Sequence, residues 1–554
     1  MAFAANERQQ IRLEDSTFNL TQRGQRFLKR SWAEYFSQHI FPLINEERFA
    51  VLYSSNPASR PNTPVNVIIG LLMLKELFNL TDDNLLETVI FDVRFQYALH
   101  TTSYHEQPIS DRTLSRFRER LALYEEASGI DLLKEEMEAL AAAFVGLLRI
   151  DPLMKRMDSL MVASSCKKLS RLELFYRCVS NMVRAIAATG ETGLLNARLR
   201  KYLEADHEND TIYRTTSDQT DTKLETVLAD ALQLLELPDA SGYAGLTEYE
   251  QLQRIVKEQT DETAAGRKLR VNGKVSTNSL QNPSDADATY REKAGKKHRG
   301  YVGNFVETFD ANGAIITGMD YAQNTHSDVA FCRSVINSEG PQAETMTLIA
   351  DGAYGSDELV DLAGQQNINL VTTALIGRTP DPLLSEYEID EQRHQLRKCP
   401  AGHAPLSCQY KFQTDSYYAH FDKSICMTCP HRKHCGVKFQ KKTGLIHISA
   451  KTVHRAAYLK QLSKPEYKAL TRKRNAVEGI PSVLRRKYRV DHMPIRGYVR
   501  TKSWYYLKIG AINVKRVLEW AENLAVVSAI GCKIDLLASQ ISQNRQRKQV
   551  WQFA

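Results

Sequence analysis

The stretch TLIADGAYGSDELV, residues 347–360, decides how the chain is read. An apolar run, Leu348-Ile349-Ala350, stops at Asp351, and Gly352 follows at once. After Gly355 comes a Ser-Asp-Glu helix start. A buried strand therefore carries a carboxylate at its C-terminal edge, where α/β folds gather ligands and catalytic groups. A lone Asp there also serves as a turn or N-cap residue. Its meaning depends on acids in comparable settings elsewhere.

Working outward, strand signals dominate from residue 300. YVGNFVETFDANGAIITGMDYA reads as a hairpin turning at Asp310-Ala311-Asn312-Gly313. The strand at MTLIADG, a helix over 356–366 and a strand at INLVTTAL follow in β-α-β order. Upstream, residues 149–166 alternate like a strand and 128–150 like a helix. Residues 60–122 read as helices, among them PVNVIIGLLMLKELFNL, TDDNLLETVIFDVRFQYAL and the basic SDRTLSRFRERLALYEE. Residues 172–270 are mostly helical and charged, with a polar, mobile stretch at 204–222. A helix over about 451–478 is expected after a cysteine-rich segment.

With 554 residues, two or three domains are expected. No apolar run approaches the roughly 18 residues a membrane span needs, and the polar N-terminus lacks a signal-peptide core. A cytoplasmic protein with no membrane partner is expected. The net charge is +8, but its placement is uneven. Between Thr471 and Lys502, ten Lys or Arg face two acids, Glu478 and Asp491. Such a stripe points to a polyanion, nucleic acid first.

Two further acids stand out. Asp158 lies inside the alternating segment MKRMDSLMVASS, among Met157, Leu160 and Val162, where a charge is costly unless paired or bound to a cation. Glu478 lies in YKALTRKRNAVEGIPSVLRRKYR. On one helix Arg474, Glu478 and Arg485 would share a face, although Pro481 disturbs the helix. Two strand carboxylates and one helix carboxylate beside cations suit Mg²⁺ (or Mn²⁺), which takes few carboxylates and keeps phosphate oxygens and waters. Two such ions about 4 Å apart serve phosphodiester chemistry.

Five of nine cysteines cluster: Cys399 in CPAGH, Cys408, and Cys426, Cys429 and Cys435 in CMTCPHRKHC. The C-x₂-C pair suits tetrahedral Zn²⁺. A structural site of Cys399, Cys426, Cys429 and Cys435 is expected, with Cys408 and His403 as possible substitutes. Cys166, Cys178, Cys332 and Cys532 are isolated and read as packing residues.

Four stretches in order, DSLMVASSCKKLSRLELFY, NPSDADATYREKAGKKHRGYVGNFVETFD, LIADGAYGSDEL and RKRNAVEGIPSVLRRKY, resemble the DDE transposases of bacterial insertion sequences. So do the helices from residue 60. The resemblance implies an α/β, RNase H-like mixed-sheet core with an N-terminal all-α domain and a Cys-rich insertion. It maps the catalytic, metal-binding carboxylates to Asp158, Asp351 and Glu478. Asp151 is a rival for the first. It also implies DNA contacts from Arg474, Arg485 and Lys487. Thr471 stands where the family has a Tyr. The expected domains are a DNA-binding helical part at 1–145 and a catalytic part at 146–530. The latter carries a helical insertion at about 172–270 and a zinc-type insertion at about 390–450. Residues 531–554 form a tail. The expected activity is Mg²⁺-dependent strand cleavage and strand transfer at a nucleoid-associated complex of double-stranded DNA and a homodimer. The alternatives are an inactive DNA-binding relative and a nuclease that does not join.

Overall fold

The structure is a computed structural model. It describes residues 1–6, 15–56, 58–102, 109–237, 242–264, 266–293 and 295–550, with side chains to 524. Six core strands are β1 (Met154–Ala163), β2 (Thr289–Lys293), β3 (Lys296–Phe309), β4 (Ala314–Gln323), β5 (Met346–Ala350) and β6 (Ile368–Thr372). The order is β2-β3-β1-β5-β6, with β4 also on β3. β1, β5 and β6 are parallel, whereas β3 runs antiparallel to β1, β2 and β4. This mixed sheet is the expected RNase H-like core, and the hairpin turn lies at residues 310–313 as expected.

The two faces of β1 follow strand alternation. Met157 and Met161 pack on α1 (Asp328–Glu339) and α2 (Asp357–Gln365) through Phe331, Ile336 and Leu359. Leu160 and Val162 face the opposite layer. That layer comprises α3 (Pro465–Arg474), α4 (Gly479–Arg486) and α5 (Tyr498–Val550). Tyr505 of α5 lies directly on β3: a Cβ at Gly303 would meet its ring at 2.6 Å, so only glycine fits. Asn513 of α5 bonds both backbone groups of Ile316, at 2.9 and 2.7 Å. This anchors the outer strand β4 to α5 at that point.

The N-terminal helices form as expected. Val65–Phe78 is buried along almost its whole length, and Asp111–Ser128 buries Leu114, Phe117 and Leu121. TDDNLLETVIFDVRFQYAL is two helices rather than one. Asp92 ends the first and caps the second through Arg94 N–H at 2.9 Å. These helices share one hydrophobic cluster with the sheet and α5. The helical insertion has its own core, and the stretch at 204–222 is tied to it by Arg177–Glu208 at 2.5 Å. The Cys-rich segment has a third core around a four-stranded sheet.

The helix expected over 451–478 is broken. Ala450–Leu462 ends before Pro465, which opens α3. A tight turn at Asn475–Glu478 then precedes α4, so Pro481 falls in a first turn, where no N–H is needed. α5 runs through the boundary expected at 530/531, and residues 551–554 and the Cys532 side chain lie outside the described set. No described helix is long and apolar enough to cross a membrane.

Buried ion pairs fasten α5 to the N-terminal helices. Lys508 meets Glu76 at 2.6 Å, both about 5% exposed. Lys502 is held by Glu125 and, at 2.7 Å, by Asp131, which removes it from the basic surface stripe. Removing one partner of such a pair leaves an uncompensated charge. Lys508→Met is expected to cost about 3–5 kcal/mol in denaturant unfolding, and Lys508→Met with Glu76→Leu to recover most of it.

Candidate active site and cysteine cluster

Parallel pairing of β1 with β5 matches Met154 to Thr347 and Arg156 to Ile349. Two residues further along both strands, the same register sets Asp158 beside Asp351. Neighbouring residues in register point to one side of a sheet. The side is that of Arg156 and faces α3. Asp351 is fixed as its sequence suggests: its carboxylate accepts from Gly352 N–H at 2.7 Å and from the Thr373 hydroxyl at 3.0 Å. Asp158 accepts from Ser159 N–H at 2.8 Å. Burial pushes the Asp158 carboxyl above its usual range. Ser159 N–H and Arg474 oppose this, and Asp351 adds to it.

Arg474 completes the arrangement. It is 10% exposed, donating to Glu478 at 2.8 Å and to Asp158 at 3.3 Å. One guanidinium thus stands between the strand acid and the helix acid. Glu478 is 57% exposed and adjoins Asp158 only through Arg474. Of the helical face expected for Arg474, Glu478 and Arg485, the Arg474–Glu478 pair forms across the turn at 475–478, whereas Arg485 does not join it. Arg485 instead meets Asp491 at 3.1 Å and the Met161 carbonyl at 3.0 Å. Lys487 is exposed beside the Tyr488 ring. Asp151 lies before β1 as a turn residue accepting from Leu153 N–H at 2.9 Å, so it is outside the site.

Sequence reading missed Arg156. It donates to Glu307, which is fully buried, at 2.5 Å, and to the Lys473 carbonyl at 2.6 Å. Arg516 of α5 meets the other Glu307 oxygen at 2.6 Å. Arg156 therefore ties the end of α3, one residue before Arg474, to the strand that carries Asp158. The signal was available: a basic residue two positions before Asp158 shares its face.

Cys399, Cys426, Cys429 and Cys435 line one cavity of about 150 Å³, with His403 and His431 at its wall. All are free thiols. Burial pushes Cys426 and Cys435 up, and the neighbouring sulfurs add to it. Two turns present them: Cys399 N–H bonds the His403 carbonyl at 2.9 Å, and Cys435 N–H the His431 carbonyl at 2.9 Å. Cys408 points elsewhere, its sulfur accepting from Leu396 N–H at 3.4 Å. Among the described residues, no group of three or more His, Cys, Asp or Glu is arranged to hold a metal ion.

Residues 398–518 match a family model described as Transposase DDE domain, and residues 26–120 one described as Transposase domain (DUF772). Both matched models describe transposase domains, and together they cover less than half of the chain. The first match holds Glu478, Arg474, Cys399, Cys426, Cys429 and Cys435, whereas Asp158 and Asp351 lie outside both. No curated protein matches the chain. A solved structure, "Cryo-EM structure of piggyBac transposase synaptic complex with hairpin DNA (SNHP)", aligns over 90% of this chain and 75% of that one. Its 8% identity and TM-score of 0.29 carry no argument.

Arg156→Met is expected to lower stability by about 1.5–3 kcal/mol, the worth of a hydrogen bond to a charged group. Arg516 still pairs Glu307, which limits the loss. Arg156→Lys should fall short too, since an ammonium lacks the fork that reaches both partners. Urea unfolding of the two variants checks this.

Proposed function

We propose that this protein is a transposase whose Asp158, Asp351 and Glu478 carry a divalent-metal-dependent reaction: water cleaves a DNA phosphodiester, and the freed 3′-OH then attacks a target phosphodiester, forming a new P–O bond as the target's 3′-oxygen leaves. The observation that supports the reading is the register that sets Asp158 beside Asp351, with Glu478 one guanidinium away. Two adjoining carboxylates, one destabilised by burial and by the other, fit Mg²⁺ or Mn²⁺. When bound, such a cation supplies charge neutralisation to the phosphate and activates the attacking oxygen. The chain's own residues do the rest. Asp158 and Asp351 form the rigid pair, because both stand on the central strands. Arg474 holds Glu478 against the sheet and offers a guanidinium beside the reacting phosphate. Arg485 and Lys487 supply cations further along the backbone.

In this reading residues 1–145 bind DNA, residues 146–530 catalyse, and the active assembly is a dimer on double-stranded DNA. The four thiols of Cys399, Cys426, Cys429 and Cys435 around one cavity support a structural Zn²⁺ site, which would have to draw them closer, since as they stand they are not arranged to hold a metal ion. We expect about one zinc per chain by metal analysis, and Cys429→Ala to lose it and loosen the insertion, because metal binding supplies folding free energy.

Asp351→Asn keeps size and removes charge. Mg²⁺-dependent nicking of a plasmid carrying the coding region and its flanks should fall by orders of magnitude, while duplex binding persists. Near wild-type nicking by this variant would sink the assignment and leave a DNA-binding relative. Nicking with no joined product would leave a nuclease. Lys487→Ala should flatten the salt dependence of duplex binding by about one unit. Arg474→Ala, being inward, should depress cleavage more than that slope.

A further inference from the structure

At the end of β1 the chain opens a second, strongly basic recess. It is a cavity of about 120 Å³ walled by Lys167, Lys168, Asn282, Lys297, His298 and Arg299. β3 makes it possible. Gly300 pairs with Ala163 on one side and Thr289 on the other, and β3 then runs past β1 as a hairpin with β2. Gly300 has φ +141° and stands where a Cβ would meet the Val162 carbonyl at 2.4 Å, so the projection depends on glycine there. The hairpin carries Arg291, Lys293, Lys296, Lys297, His298 and Arg299 against one acid, Glu292.

The charges are only partly neutralised: Arg291 and Lys293 meet Asp328 at 3.7 and 3.6 Å. Lys167 meets Glu173 at 2.9 Å, and Arg299 donates to the Leu169 carbonyl at 3.2 Å. Lys168 and Lys297 are exposed, and among the described residues no carboxylate forms an ion pair with either. The nearby Asp285 is turned away, accepting from the Ser164 and Tyr301 hydroxyls at 2.5 Å each. Burial, then Arg485, Lys168 and Lys296, push the His298 imidazole down, against Asp491. A recess with several cations, amide groups and no paired carboxylate on its two exposed lysines is built for an anion.

Its position names the anion. Arg485 reaches the Met161 carbonyl between the recess and Asp158, so cations line the way from one to the other. Five residues of β1 separate Asp158 from Ala163, about 17 Å at strand rise. We infer that the recess formed by Lys168, Lys297 and the β2–β3 hairpin holds a backbone phosphate of the DNA strand, a few nucleotides from the bond that is cut. This inference rests on the reading of the chain as acting on DNA.

The test uses the full chain and a fluorescein-labelled duplex of arbitrary sequence, titrated across a NaCl series, with inorganic phosphate as a free-anion probe. Lys168→Ala/Lys297→Ala should lower the slope of log affinity against log salt by about two units, weakening binding on every sequence. Lys168→Arg/Lys297→Arg should restore it. Thermal melts of the double variant should match wild type, both lysines being exposed. An unchanged slope in the folded double variant overturns the inference. So does inorganic phosphate that displaces duplex from wild type, beyond matched chloride, but not from the double variant; the recess would then serve a free anion. Failure of wild type to bind any duplex would overturn the proposed function itself. Wild-type binding equal to that of the double variant removes the recess alone.

Discussion

The buried carboxylate of Glu307 is the constraint on which the rest hangs. It is fully enclosed within β3, and a charge there is tolerable only because Arg156 and Arg516 bracket it. Arg156 belongs to β1 and Arg516 to α5. One acid therefore joins the central strand, its antiparallel neighbour and the long helix that covers them. Arg156 then donates to the Lys473 carbonyl near the end of α3, so the position of the Glu478 turn is referred to the same point. Hydrophobic packing supplies the bulk of the cohesion, but it is non-directional. The ion cluster fixes how strand and helix are aligned.

From that frame follows the electrostatic character of the site. Two carboxylates abreast repel, and burial deepens the penalty at Asp158. Arg474 relieves it with one guanidinium shared between Asp158 and Glu478. A cation of higher charge density bound by the two aspartates would compete with Arg474 for the same oxygens. The arginine is thus a counter-ion to both acids, a role its spacing from Glu478 alone does not reveal.

The sheet was legible because its signals are local. Alternation in β1, the Asp-Ala-Asn-Gly turn after β3, and the apolar run ending at Asp351 each announce themselves within ten residues or so. The adjacency of Asp158 and Asp351 was legible only as an expectation, since it depends on register between distant strands. The helix breaks at Asp92, at Pro465 and after Arg474 were misjudged, because capping and a restart in phase outweigh continuous apolar spacing. The four-stranded sheet around the cysteines escaped notice. Its strands alternate Tyr and His with short aliphatics, a weak pattern beside the thiol spacing. Arg156 and Lys502 were hidden for another reason: whether a cation faces solvent or a buried acid is decided by residues hundreds of positions away.

The helical insertion leaves the sheet after Ala163 and returns at Thr289, and both of these residues pair with Gly300. Its two ends are therefore only about two strand spacings apart, near 10 Å. A segment with its own core, tethered at neighbouring points, behaves as a cassette. Lengthening, shortening or exchanging it changes little in the loop closure of the sheet, since that cost grows only logarithmically with length. Away from its two ends, which wall the basic recess, this part of the molecule can change in length while the strands beneath keep their register.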